Sequence, residues 1–372
     1  MEQITGQQMK PIHPFQHINY DMTSAYVFEG TIPKSPGQEQ WARVSTATQA
    51  RGTRNRKSIW TNQEDMKFNG LSVKWCDGAS GSGHVMPMVA IFSGFSETEM
   101  PSDGFIVLEV QGMSMNANLD ARSSEVGYIV MLKQEENMDR FFEWYDEVIV
   151  YPYFRDLLKL YYGIPLDAED VPEDLSARVW VDSDMRQMAR LRTLSVMEKN
   201  FSRRLLYAKI GAKTTMCFQP MDVGPFFKII RYETRHCTTK DTDDPLRKTL
   251  EVGFSGLKSR GFVVLSPRKL SAIIDCASTA PQVKAKAYSK KLVQNTFVDS
   301  GFTSGVDGAP NVHAVMKTSN VPFTSNPSLK KLFFDSLLGC TTKMYVNGSI
   351  SEDFLRAFAF HWIKIVKEIS GN

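Results

Sequence analysis

Three aspartates stand where apolar runs meet turns or polar residues: Asp21 in the segment around Ile18-Asn19-Tyr20, Asp182 after Val179-Trp180-Val181, and Asp222 within Cys217-Phe218-Gln219-Pro220-Met221-Asp222-Val223-Gly224. Carboxylates brought together from separate elements can hold hard divalent cations such as Mg2+ or Mn2+, which favour oxygen ligands. With two ions, one acidifies the attacking water or hydroxyl and the other stabilises a leaving oxygen, the arrangement that suits phosphodiester cleavage. Each aspartate taken alone also reads as a turn residue or helix N-cap, and spacing by itself does not make the three converge. Asp184 and Glu233 are the alternative acids.

The elements that must position these acids follow from patterning. Residues 13–30 are apolar and β-prone, with Asp21 inside the run, and Pro33, Pro36 and Gly37 end it. Strands are expected over 56–62, 70–76, 86–92, 105–110 and 127–132, with residues 77–83 as a hairpin turn, so the first part of the chain forms an antiparallel meander. The glycines of that turn do not form a phosphate loop, because no Lys-Ser/Thr pair and no helix come after them. Residues 137–162 carry apolar side chains at helical spacing, with Pro152 expected to break the run.

A strand over 177–182, a basic helix over 185–201 and a strand over 205–210 lead to the Asp222 segment. Helices are then expected over 227–236, over 266–277 with Ser266 as N-cap and Pro267 at the first helical position, over 283–302, over 329–338 and over 351–369. The order points to an α/β fold with a mixed sheet, in which the meander precedes parallel strands.

Bulk properties limit the function classes. The chain has 372 residues, 42% of them hydrophobic and 11% aromatic, enough for a sizeable core. No run of about eighteen apolar residues occurs, and the N-terminus lacks an apolar leader, so a soluble, unsecreted protein is expected. The five cysteines are scattered without a Cys-x-x-Cys pair, which argues against a zinc site and a disulfide framework and for a reducing compartment, cytoplasm or nucleus. A net charge of +3 names no partner, but basic residues cluster at Arg51, Arg54, Arg56 and Lys57, through 186–204, and at 284–291. Three such runs make a polyanion worth considering.

Asp21-Met22-Thr23 in a β context, Cys76-Asp77-Gly78 before the apolar strand that closes on Gly94, Val179-Trp180-Val181-Asp182, and Gln219-Pro220-Met221-Asp222-Val223-Gly224 with Lys228 beyond it resemble, in order, the motifs of pogo and Tigger type DDE transposases. Residues 292–302 look like that family's helix ending in an apolar-Gly-apolar turn. The resemblance implies an RNase H-like catalytic core related to centromere protein B and jerky-type proteins, acting in the nucleus as a magnesium-dependent DNA endonuclease and strand-transfer domain. It implies Asp21, Asp182 and Asp222 as metal ligands and DNA as partner.

The residues proposed from their charge to meet DNA phosphates are Arg54, Arg56, Lys57, Arg186, Arg190 and Lys228. The expected organisation is a catalytic core over 1–236, with an insertion at about 97–175, followed by a helical extension over 237–372; a homodimer is a further expectation. This chain departs from the pattern in having Ser183-Asp184-Met185-Arg186-Gln187 where the family carries a His after the second acid, and in the lack of a helix-turn-helix region before Asp21. Two other readings stay open: a catalytically inactive DNA-binding or assembly protein, and a nucleotide-sugar glycosyltransferase using Asp182-Ser183-Asp184 as a manganese-holding Asp-x-Asp pair.

Overall fold

A computed structural model describes residues 13–26, 72–101, 104–113, 126–133, 138–163, 176–182, 205–210, 215–236, 244–303 and 352–370, with six further positions between 335 and 345. The expected strand at 56–62, the basic helix at 185–201 and most of the helix at 329–338 lie outside the described residues, as do Arg54, Arg56, Lys57, Asp184, Arg186 and Arg190.

Seven strands form one mixed sheet: β1 (His17–Tyr26), β2 (Ser72–Ser80), β3 (Val89–Ser93), β4 (Phe105–Gln111), β5 (Val126–Leu132), β6 (Ala177–Val181) and β7 (Leu205–Lys209). Their order across the sheet is β4-β5-β3-β2-β1-β6-β7. The first three strands pair antiparallel, and β1 then pairs parallel with β6, which pairs parallel with β7. This is an RNase H-like arrangement, widened beyond β3 by β5, parallel to it, and β4, antiparallel to β5.

The alternation of side chains along a strand divides the core in two. Ile18, Tyr20, Cys76, Val89, Val179 and Val181 face a cluster closed by α1 (Met138–Tyr145) and α2 (Tyr151–Tyr162), whose buried residues include Phe141, Phe142, Phe154 and Leu157. Val73, Trp75, Ala79, Ala90 and Trp180 face the other cluster. After β7 come two single-turn helices, α3 (Thr215–Phe218) and α4 (Pro220–Val223), which place Phe218 and Met221 in this second cluster. Helices α5 (Phe226–His236), α6 (Pro245–Ser259), α7 (Pro267–Ser278), α8 (Ala280–Ala287) and α9 (Lys290–Asp299) contribute to it as well, and Phe358 of α10 (Glu352–Ser370) joins it. The helices after residue 237 therefore share a core with the sheet. Trp75 and Trp180 are wholly or almost wholly buried there, each removing a large apolar area from water.

Four local expectations change. Asp77, Gly78, Ala79 and Ser80 continue β2, and the turn lies after them, because the backbone pairs with β1 as far as Ile18↔Ser80. Gly78 is required there: a Cβ would meet Tyr20 Cβ and Met86 Sδ, each at 2.6 Å. Pro152 does not break its helix. It sits in the first turn of α2, where its missing N–H is tolerated, and the loss is absorbed by a π-helical turn over Asp146–Val150.

The helix expected over 283–302 is two helices. Tyr288 is extended, and the Ser289 hydroxyl caps α9 by accepting from Leu292 N at 3.3 Å. Helix α6 has no counterpart among the expected elements, although the Asp244 carboxylate caps Leu246 N at 3.0 Å and Pro245 opens it. Ser266 caps α7 as expected, accepting from Lys269 N at 3.2 Å.

Candidate active site

The site starts from one buried amide. Asn19, in the middle of the sheet, donates through Nδ2 to the Trp180 carbonyl at 2.7 Å and accepts at Oδ1 from Met221 N at 3.0 Å. Asn19 is two residues before Asp21, Trp180 two before Asp182, and Met221 one before Asp222. A single side chain with no solvent exposure thus joins the three segments that carry the acids. The Met221 N–H sits in the first turn of α4, where no intrahelical acceptor exists, and leaving such a group orphaned in the interior costs about 1–3 kcal/mol.

Strand register does the rest. Asn19 pairs with Trp180, so continuing the parallel ladder by two residues sets Asp21 beside Asp182. Asn19, Asp21 and Thr23 share one face of β1 by alternation. The third acid sits on α4, held between an extended Gln219 and Gly224. Pro220 pre-sets the first turn, buried Met221 anchors it in the core, and Asp222 is turned outward and exposed. Gly224 has room for no side chain, since a Cβ would come within 2.4 Å of the Phe226 ring. The Gln219 amide is fully buried with neither end hydrogen-bonded among the described residues.

Electrostatics couple two of the acids. Crowding by the surrounding protein first, and the negative charge of Asp182 second, raise the Asp222 carboxyl above the usual carboxylate range, while Arg231 pulls it down. Asp222 is exposed in surface terms, so solvent screens this effect. Its carboxylate has no hydrogen-bond or ion-pair partner among the described residues. Arg231, half-buried on α5, donates from Nη1 to Thr23 Oγ1 at 3.2 Å.

The neighbouring strand presents the opposite case. Asp77 pairs directly with Asp21 across β1 and β2 but is fully buried. Lys284 of α8 reaches its Oδ1 and also donates to the Met86 carbonyl at 2.7 Å, with its ammonium 4.4 Å from the centre of the Tyr288 ring. The Gly78 N–H completes the Oδ1 contacts at 2.9 Å. Burial pushes the Asp77 carboxyl up and the Lys284 ammonium down, and the attraction between them works against both shifts.

Of the acids expected from sequence, the structure brings Asp182 and Asp222 into electrostatic contact and puts Asp21 next to Asp182 in register. No three His, Cys, Asp or Glu side chains among the described residues stand close enough together to hold a metal ion. Glu233 is turned to Lys286, at 2.7 Å, on the α8 side. Lys228 is exposed on α5, one turn before Arg231. Sequence reasoning missed Asn19, Arg231 and the use of Lys284. His84 packs away from these acids, its Nδ1 2.9 Å from Ser82 Oγ.

No helix among the described residues is long and apolar enough to cross a membrane. No family model matches the chain, and neither the curated proteins nor the solved structures yield a match.

Proposed function

We propose that this chain is a metal-dependent DNA endonuclease or strand-transfer domain of the DDE transposase type, with Asp21, Asp182 and Asp222 as its acids. The observation that carries the reading is the coincidence of topology and acid placement. In an RNase H-like sheet the central strand and the adjacent parallel strand each present an acid on one face, and a short helix adds the third.

The donor set fits a hard cation in its chemistry, being oxygen only, and Asp182 and Asp222 repel each other with the Asp222 carboxylate unpaired among the described residues. Mg2+ or Mn2+ held by these two acids, with Asp21 alongside, would supply an acidified water or hydroxyl and charge for the leaving oxygen. The protein's own contribution is positional: Asn19 fixes the three segments against one another, and the closed cluster beneath excludes water from one side of the site. Arg231 lies within electrostatic range of Asp222, and exposed Lys228 is three residues before it on α5, which suits a polyanion. A nuclear setting is the one that suits a DNA substrate.

A second reading keeps DNA binding and drops the chemistry, and the lack of a ready three-acid cluster among the described residues favours it. Nicking of supercoiled DNA with Mg2+ or Mn2+ separates the two. Wild type should nick, and Asp182→Asn and Asp222→Asn should each lower the rate by about 100-fold or more, the scale of losing one electrostatic element of a preorganised site. Equal nicking by all three proteins would remove the acids from the mechanism. DNA binding without any cutting would leave the assembly role.

A further inference from the structure

Arg231 has a place in the site that hydrogen bonding within the protein does not account for. Its guanidinium is half-buried at the edge of the apolar stripe of α5 formed by Phe227, Ile230 and Thr234. A guanidinium presents five N–H donors in a rigid fork. Among the described residues Arg231 makes a single hydrogen bond, to Thr23 Oγ1, and no ion pair, although Asp222 lies within electrostatic range.

The Thr23 contact orients the fork. Thr23 is two residues past Asp21 on the same strand face, so a guanidinium held there lies on the acid-bearing face of β1, within electrostatic range of Asp222, with the rest of its donors uncommitted among the described residues. Lys228 lies three residues earlier on the helix and is exposed, so the two cations are neighbours on one side of α5.

We propose that Arg231 is a substrate-contacting residue that grips a phosphate oxygen of the nucleic-acid strand, presenting the backbone to the carboxylates. Thr23 is its positioning residue, and Lys228 adds a less directed charge on the same track. Arginine suits the role because its planar fork matches two phosphate oxygens at once, which a lysine ammonium cannot do. The inference rests on the endonuclease reading for the cleavage step, but the phosphate contact can be tested without any cutting.

The test is binding of a fluorescent DNA duplex to the full chain across a series of KCl concentrations, with no divalent ion, alongside nicking with Mn2+. Arg231→Ala should lower the slope of log affinity against log salt by about one, the signature of one lost phosphate contact. Lys258→Ala, an exposed lysine on α6, serves as control and should leave the slope unchanged. Arg231→Lys keeps the charge and should keep the slope, while nicking falls about tenfold through kcat because the fork is lost.

Thr23→Val should behave like the lysine variant, with a normal slope and slower turnover. A slope for Arg231→Ala equal to wild type overturns the contact, whatever the nicking result. An altered slope with no nicking in any protein keeps the phosphate contact and removes the endonuclease reading. Melting curves identify a misfolded alanine variant, in which case Arg231→Lys and Thr23→Val carry the decision: full nicking in both contradicts the proposal.

Discussion

Asp21 and Asp77 are cross-strand partners, the same side chain on the same sheet face, in opposite surroundings. Asp77 is sealed: Lys284, the Gly78 N–H and the Tyr288 ring close over it, and no part of it meets solvent. On the other side of β1 lie Asp182 and an exposed Asp222, and Arg231, which acts on Asp222 through space, is hydrogen-bonded to a threonine. The difference separates structural charge from charge available for chemistry. Asp77 is buried with its own cation, whereas Asp222 is repelled by Asp182 at the surface and has no ion pair among the described residues.

The largest effect should come from breaking the sealed side. Lys284→Met leaves Asp77 buried and unpaired and should cost about 3–5 kcal/mol in urea unfolding. Adding Asp77→Asn should recover most of that loss, since the uncompensated charge is then gone. If the single variant unfolds like wild type, the pair is not buried as described and the contrast fails.

Next comes Asn19, which belongs to both regions. Asn19→Ala removes both side-chain bonds, leaves the Met221 N–H without its acceptor and should cost about 2 kcal/mol. Its effect on nicking should exceed what that stability loss explains, because the three acid-bearing segments lose their common tie. Asn19→Asp keeps the acceptor for Met221 N but sets a buried carboxylate against the Trp180 carbonyl, so it should restore no stability relative to the alanine. Normal turnover in Asn19→Ala at a temperature where it is folded would show that the acids need no shared anchor.

How far this was readable from the chain depends on the range of the interactions. Strands β1 and β6, the Ser266-capped helix and the helix after Gly224 were legible because apolar runs and caps are local signals. Asp77 reads as a turn residue because Asp-Gly before small residues has turn composition, and only pairing with β1 makes it strand. The split at Tyr288-Ser289 and the start at Asp244-Pro245 carry cap signals that the apolar periodicity overshadows. The acids of the candidate site could be named from their positions at strand ends and turns. Their tie could not, since Asn19 reaches 161 and 202 residues along the chain, Arg231 reaches back 208 to Thr23 and Lys284 back 207 to Asp77. No local pattern encodes such partners.

The smallest effect isolates the open side. The Asp222 carboxyl is raised in the folded chain, so the folded state holds its proton more tightly than the unfolded state does. Its ionisation therefore costs stability as pH rises through the folded value, and the cost is absent below the unfolded value of about 4. Without metal, Asp222→Asn should be more stable than wild type by about 0.5 kcal/mol at pH 7, a screened surface effect, with the gain vanishing near pH 4.

Whether the open acids await a cation is decided by the melting temperature at pH 7 with and without Mn2+. If they do, wild type gains about 1.4 kcal/mol at ten times the dissociation constant and Asp222→Asn gains little. An Mn2+ shift of the same size in both proteins, or none in wild type, would refute the metal-binding role of the open acids.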